Sequence, residues 1–400
     1  MKNKLIKILC PFLALAVCLS VFSLIAFGDD INYNYDENTA TLTVFGSGDI
    51  SDFADEYSQP WHAYKNKAKT LVISDGITSI GAYSFAGFSA LNLAKIADSV
   101  KSVNAFAFAS CKNLNNLSFS NNITSIADSS FAYNGTVPKA DFKLSCPLGS
   151  FALFYAIKND VPFSAEKVMC NTYNVNINSK GMYAYFPYTP ACSGTFKFYS
   201  SGNEDTYGAI FDSSLNRLKY NDDISSSNYN FSLTCSLEKG KTYYLAAKMA
   251  SNFTFGKFTV TLEPVSFSTT VKLVAMADSS GAPSDMLVSG VTLDGQSVPS
   301  TFTLDLTFGE LTKTFVYSPK QLVSFTFSPD EEIALVPFVT VDANSDGFVN
   351  AKDFAILKKS NSPYLSLYQN FINYKIKYSL QGSTQGRYLT GGVPPVRFSM

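Results

Sequence analysis

A single histidine, His62, stands in the whole 400-residue chain, directly after the single tryptophan, Trp61. A Ser-His-Asp or Cys-His arrangement therefore has one candidate base, and its position beside a tryptophan suits a structural histidine better. HExxH, GxSxG and the glycine-rich phosphate loop are missing. Glycoside hydrolysis needs only two carboxylates, but no segment of the usual size for such a domain is left once the repeats and β-rich blocks below are assigned. The expectation is a protein that is not an enzyme. Charge is also scarce. Charged residues make up 16% of the chain and the formal net charge is -1. Nucleic-acid binding would want a basic face, so that class is set aside. None of the seven cysteines lies at CxxC spacing, which removes zinc knuckles and redox pairs of that type.

One long apolar run is present, at the start. Lys2, Lys4 and Lys7 precede an apolar stretch from Ile8 to Phe27, and Ala26-Phe27-Gly28 places small residues before Asp29. This reads as a secretory signal peptide over 1–28. The alternative is a retained anchor, because the run approaches the ~20 residues that cross a bilayer. With the leader cleaved, no membrane span is expected. Loss of its lysines leaves the mature chain mildly acidic. Cys111, Cys146, Cys170, Cys192 and Cys235 then remain, an odd number that cannot all pair. Cys111 reads as a buried small apolar residue, and Cys192 and Cys235 could bridge within one domain.

What the chain has in abundance is repetition. Ile77-Thr78-Ser79-Ile80, Val100-Lys101-Ser102-Val103 and Ile123-Thr124-Ser125-Ile126 recur every 23 residues. Phe85, Phe108 and Phe131 keep the same step, as do Ile73, Ile96 and Phe119. A fixed period of this size implies a solenoid, whose units bury their apolar residues only against neighbours. Before the repeats, Ala40 to Ile50 alternates and turns at Gly46 and Gly48, and Pro60-Trp61 is followed by Tyr64, as an end cap requires.

The Leu-Thr-Val…Gly-Ser-Gly cap, the Pro-Trp pair and the Ile-Thr-Ser-Ile-Gly…Ser-Phe repeat together resemble the BspA-like leucine-rich repeat family of bacterial surface proteins. The stretch from Gly149 to Phe163 is similar to that family's C-terminal helical cap. The resemblance implies a solenoid domain over 29–165, a secreted or cell-surface location on a bacterium, and an extracellular protein or glycan as ligand.

Residues 166–265 read as short strands between turns, with Tyr183-Ala184-Tyr185-Phe186, Gly194 to Tyr199 and Lys241 to Leu245 rich in β-formers. Their order resembles the bacterial pre-peptidase C-terminal domain, a jelly-roll-like β-sandwich. Members of that family can bind calcium or sugar polymers. Asp205, Asp212, Asp222 and Asp223 could then form an oxygen-rich site, or simply stabilise turns. Residues 266–340 form a second β-rich block, where Val291-Thr292-Leu293-Asp294-Gly295 weakly resembles carboxypeptidase-regulatory-like modules. The fold class expected is mainly β and modular: a short leucine-rich-repeat solenoid, two β-sandwich-like modules and a C-terminal calcium loop-helix.

That last element, over 341–362, carries the sharpest chemical motif. Asp342, Asn344, Asp346, Asn350 and Asp353 fall at positions 1, 3, 5, 9 and 12 of a loop. Gly347 at position 6 allows the sharp turn, and Phe348 offers its carbonyl at position 7. These are Ca2+ ligands, with Asp at position 12 where an EF-hand has Glu. Phe354, Ile356 and Leu357 then suggest the apolar face of a helix. The loop and helix resemble one repeat of a type I dockerin, the module that plugs cargo into cohesin. The resemblance would place cohesin-contacting sites at Ala351, Lys352, Lys358 and Lys359. No acidic residue follows Asp353, so a second acidic loop is missing. Residues 363–400 are unassigned, with the look of a disordered tail or of a shifted reading frame. Two functions are carried forward: an adhesion or binding protein, and a cohesin-docked part of a cellulosome-like polysaccharide-degrading complex.

Overall fold

A computed structural model describes residues 30–134, 137–138, 140–277, 280, 282–318, 321–341, 343, 349, 351–371 and 397–399. The fold is mainly β and modular, as the sequence implies. The leader at 1–28 lies outside the described residues. The chain divides into two compact units. One runs to Glu166 and includes Asn178–Ala184; the other comprises Lys167–Ile177 and the chain from Tyr185 onward.

The first unit is built from short strands: β1 (Asn32–Asp36), β2 (Thr41–Phe45), β3 (Gly48–Asp49), β4 (Thr70–Ile73), β5 (Ile77–Ile80), β6 (Leu93–Ile96), β7 (Ser102–Val103), β8 (Asn116–Ser118), β9 (Ser125–Ile126), β10 (Ala132–Asn134), β11 (Val137–Pro138), β12 (Lys143–Ser145) and β13 (Phe163–Ser164). One parallel sheet runs β2-β4-β6, with β1 antiparallel on its edge. Beside β6 lies β8, which continues through β12 to β13. A second parallel sheet runs β3-β5-β7-β9. The pairings Thr70↔Leu93, Ser79↔Ser102 and Ser102↔Ser125 reproduce the repeat step directly.

Between the sheets the rings form a column. Trp61 stacks on Phe85 at 5.5 Å, Phe85 on Phe108 at 5.5 Å, Phe108 on Phe131 at 6.2 Å and Phe131 on Phe142 at 5.2 Å. The indole Nε1 donates to the Ser84 carbonyl at 2.6 Å, so the one polar atom of the cap residue is satisfied. Gly46 adopts a positive φ in the cap, and a β-carbon there would run into the Asp30 carbonyl. Only glycine fits such a position without strain. At the other end α1 (Phe151–Lys158) closes the column. The Ser150 hydroxyl accepts Leu153 N–H at 3.2 Å, which caps the helix N-terminus. Ala152, Leu153, Tyr155, Ala156 and Ile157 turn inward. Cys111 is buried, as read from its place in the repeat. Its Sγ donates to the Phe85 carbonyl at 3.2 Å, and burial pushes the thiol up to about 12.

The second unit contains β14 (Thr172–Ile177), β15 (Ala184–Tyr188, whose first residue belongs to the other unit), β16 (Gly194–Ser201), β17 (Thr206–Phe211), β18 (Arg217–Asn221), β19 (Ser232–Leu237), β20 (Tyr243–Met249) and β21 (Gly256–Met276). It continues with β22 (Pro283–Leu287), β23 (Val291–Leu293), β24 (Gln296–Val298), β25 (Thr301–Thr307), β26 (Thr312–Ser318), β27 (Gln321–Thr326), β28 (Ile333–Phe338), α2 (Ala351–Lys359), a 3-10 helix (Pro363–Phe371) and β29 (Arg397–Ser399). Strand β21 is 21 residues long. Its first half pairs with β14 and β16, its second half with β25 and, in parallel, β28. A register shift lies between, opposite Thr195 and Phe196. Phe258, Val260 and Leu262 are buried before it; Phe267, Val271 and Leu273 are buried after it. The parity of inward residues therefore switches from even to odd, as an extra residue in a strand dictates. The boundary expected at 265/266 falls at this bulge.

The turn before β28 ties into the first half of the unit. Asp330 accepts from Cys170 N–H at 2.9 Å and from the Tyr188 hydroxyl at 3.3 Å. The Cys192 thiol donates to the Glu331 carbonyl at 3.0 Å, and Lys239 meets Glu332 at 2.6 Å. Cys192 is thus a free thiol, as is Cys235, and the bridge considered from sequence does not form. Cys235 pairs across the sheet with Phe196, which lies four residues along the chain from Cys192. Cys192 itself lies in a bend before β16, with its thiol on the Glu331 carbonyl.

Two outcomes follow. Phe108→Ala removes a ring from mid-column and should cost about 3–5 kcal/mol. Trp61, the only tryptophan and itself in the column, reports this as an earlier fluorescence transition in denaturant. An unmoved midpoint would show that the column does not hold the coils together. Asp330 gives a pH dependence. Burial pushes its carboxyl above the ordinary carboxylate value, against the pull of the Cys170 and Tyr188 hydrogen bonds and the Lys167 charge. A raised folded pKa contributes stability below the unfolded value, and that contribution is lost as pH rises through the folded one. The stability gap between Asp330→Asn and wild type should therefore shift in favour of the variant as pH rises from about 4. Urea melts at a series of pH values test this, and parallel curves would refute it.

Candidate binding surface

Strands with period two that bury one face must present the other. In the first sheet of the solenoid the inward set is Leu42, Val44, Leu71, Ile73, Ala94, Leu117 and Leu144. The outward set forms two rows. Asp36, Thr41, Thr70 and Leu93 are joined by strand register, and Asn116 and Lys143 continue the row across β8 and β12. Asn34, Thr43, Val72, Lys95, Ser118 and Ser145 make the second row. Six strands at about 4.8 Å give a strip roughly 24 Å long. Its side chains are hydroxyls, amides, two ammonium groups and the Asp36 carboxylate, with half-buried Val72 and exposed Leu93 in the middle. Asp36 stands at one end of the first row and Lys143 at the other, so the strip is electrically polar.

The second sheet is stitched along its length. Ser102 Oγ donates to Ser79 Oγ at 2.7 Å, and the Thr78 hydroxyl donates to the Asp49 carboxylate. Asp52 accepts Ala82 N–H at 2.6 Å and Asn104 Nδ2 at 2.8 Å, which hold its carboxyl below the usual range. These groups serve the scaffold. His62 is exposed in a 3-10 turn of the cap, with Nδ1 3.2 Å from the Gln59 carbonyl. Among the described residues no group of three or more His, Cys, Asp or Glu side chains could hold a metal ion. No described helix is long and apolar enough to cross a membrane.

The four aspartates of the first sandwich do not form one site. Asp212 sits at the far end of β17 from Asp205 and accepts Ser214 N–H, Asn216 N–H and Asn216 Nδ2, each at 2.9 Å. It is a turn residue. Asp342, Asn344, Asp346, Phe348 and Asn350 lie outside the described residues. Asp353 is fully buried in α2, whereas Ala351, Lys352, Lys358 and Lys359 are exposed. The apolar face expected of this helix is narrower than read. Leu357 is buried, but Phe354 and Ile356 are exposed, and Phe354 lies against Tyr368 at 5.2 Å. Leu357 joins Met276, Val339, Val341, Val349, Tyr368 and Phe371 in one core. The Tyr364 hydroxyl donates to the Leu287 carbonyl at 3.0 Å and Asn370 Nδ2 to the Ala277 carbonyl at 2.8 Å. Helix α2 and the 3-10 helix are thereby part of the second unit. The signal for the latter was in the sequence: Tyr364, Leu367, Tyr368 and Phe371 are spaced i, i+3, i+4, i+7 after Pro363. The outward rows of the solenoid were equally readable from alternation within each repeat.

Residues 61–158 match the BspA type leucine rich repeat region, a family description of six copies. A leucine-rich repeat protein from Eubacterium ventriosum is similar at 17% identity with a TM-score of 0.25, over 36% of this chain and 39% of that one. The pre-peptidase C-terminal domain of collagenase from Bacillus anthracis is similar at 13% identity with a TM-score of 0.22, over 26% of this chain and 97% of that one. No curated protein matches.

Proposed function

We propose that the chain is a secreted or cell-surface binding protein of a bacterium, and that the outward strip of its solenoid holds an extracellular protein or glycan. The observation that carries this reading is the pair of aligned rows from Asp36 to Lys143 and from Asn34 to Ser145. Flat rows of hydroxyls, amides and ammonium groups can hydrogen-bond an extended ligand along its length, and the exposed Leu93 adds an apolar step. The match of residues 61–158 to a leucine-rich repeat region supports a binding role. Catalysis is not assigned to it.

Screening the mature protein against extracellular-matrix proteins and a glycan array should find a ligand. Lys95→Glu with Lys143→Glu should then lower its affinity about tenfold or more, a loss of ~1.4 kcal/mol or greater, with the melting temperature unchanged. Undiminished binding by this variant would remove the strip from the function.

A second reading concerns the C-terminus and rests on α2 beginning at Ala351, position 10 of the acidic twelve-residue motif, with Lys352, Lys358 and Lys359 exposed. Residues 342–353 bind one Ca2+ through Asp342, Asn344, Asp346, the Phe348 carbonyl, Asn350 and Asp353. The loaded loop presents Ala351, Lys352, Lys358 and Lys359 to a cohesin, more weakly than a two-loop dockerin would. Calcium at ~100 times its Kd should stabilise the protein by about 2.7 kcal/mol. Asp342→Ala with Asp346→Ala should abolish both that gain and the heat of binding in calorimetry on the whole chain. Equal heats for variant and wild type would make the loop a plain turn.

A further inference from the structure

At one end of the first sandwich three loops converge: 202–205 between β16 and β17, 222–231 between β18 and β19, and 250–255 between β20 and β21. Backbone bonds lock them together. Thr206 N–H donates to the Tyr229 carbonyl at 2.9 Å and Ala250 N–H to the Asp205 carbonyl at 3.0 Å. Asn230 Nδ2 donates to the Gly202 carbonyl at 3.0 Å. Inside the third loop Phe253 N–H donates to Ser251 Oγ and the Thr254 hydroxyl to the Ser251 carbonyl. Phe231 turns into the core, yet these fixed loops hold four other large apolar side chains out to water. Phe253 is 79% exposed, Phe255 55%, Tyr229 54% and Ile224 50%. Large exposed apolar residues on converging, braced loops mark an interaction site.

The same loops carry the chemistry that selects the occupant. Glu204, Asp205, Asp222 and Asp223 outnumber Lys248 and Lys257 at the adjoining strand ends, and Lys248 donates to Asn252 Oδ1 at 2.6 Å. Desolvation raises the Asp205 carboxyl above its ordinary value, and the charges of Asp223 and Asp222 add to it. Rings beside an excess of carboxylates fit one kind of side chain best. Lysine and arginine lay an apolar stem on a ring and carry a positive head. An anionic membrane surface would meet the rings but be repelled by the acids.

We propose that this loop end is a docking surface for a lysine- or arginine-bearing segment of another protein, separate from the function assigned to the solenoid strip. The experiment uses the mature chain and a fluorescent oligo-arginine peptide, read by anisotropy, with a Gly-Ser peptide and phosphatidylserine-containing vesicles alongside. The arginine peptide should bind, weaken with salt, and lose about tenfold in affinity in Phe253→Ala/Phe255→Ala and, independently, in Asp222→Asn/Asp223→Asn. Both pairs are exposed, so unchanged thermal melting certifies the variants as folded. Equal affinity in the ring variant would reduce the effect to charge alone and overturn the proposal, as would equal affinity in the carboxylate variant. Vesicle binding without peptide binding would reassign the loops to a membrane surface and overturn it too.

Discussion

The solenoid depends on one interaction, the face-to-face contact of an aromatic ring with its counterpart one coil away. Each coil contributes only two- to four-residue strands, too few to close a core alone. Phe85, Phe108 and Phe131 supply the buried area that those strands cannot, and because each ring rests on two others the coils are stable only as a stack. The ends of such a column would expose a ring face. Trp61 covers one end, with Tyr33 and Phe53 edge-on to it at 5.7 and 5.8 Å. Phe142 and helix α1 cover the other, where Tyr155 meets Phe131 edge-on at 6.1 Å.

In the second unit the corresponding constraint is a strand. β21 belongs to two sets of pairings, and a bulge lets it serve both by reversing which alternate residues point inward. Two β-rich blocks that share a strand cannot separate without breaking its ladder. The acidic turn at Asp330, Glu331 and Glu332 adds side-chain and carbonyl contacts from the second block to Cys170, Tyr188, Cys192 and Lys239. A buried carboxylate at such a junction is costly when ionised, and its two hydrogen bonds offset only part of that cost.

The solenoid was legible in sequence because its physics is periodic. A ring that returns at a fixed step is visible without a partner in view, and so is a cap that breaks the pattern. The unity of the second unit was less legible. Alternation announces strands on both sides of Val265, but a bulge looks the same in sequence as a linker, since both interrupt the period. The Cys192–Cys235 question illustrates the same limit: composition permits a bridge, and only the fold shows that both thiols stay free. Helix α2 was read correctly as a helix, but its buried side was misjudged. Phe354 and Ile356 are apolar, and which of several apolar residues turns inward is decided by what the helix packs on, here the 3-10 helix, the end of β21 and the chain after β28. The calcium-loop pattern remains a statement about residue types and spacing.

Recognition is separable from folding in this architecture. In the solenoid the inward positions are bound to the ring column, whereas Leu93, Lys95, Asn116 and Lys143 are outward positions that the fold does not constrain. Such rows can change ligand without changing fold, which is why the repeat alone does not define what is bound. The loop end of the sandwich obeys a different logic. Its rings are exposed against the hydrophobic effect, and Asp205 is desolvated beside the charges of Asp223 and Asp222. A surface that carries both penalties gains most from a partner that relieves both at once, and a cationic side chain with an apolar stem does so. The strip, already well hydrated, gains little from an apolar partner and more from one that replaces water hydrogen bonds in register. The two surfaces proposed for binding therefore suit ligands of different chemistry, even though one chain carries both.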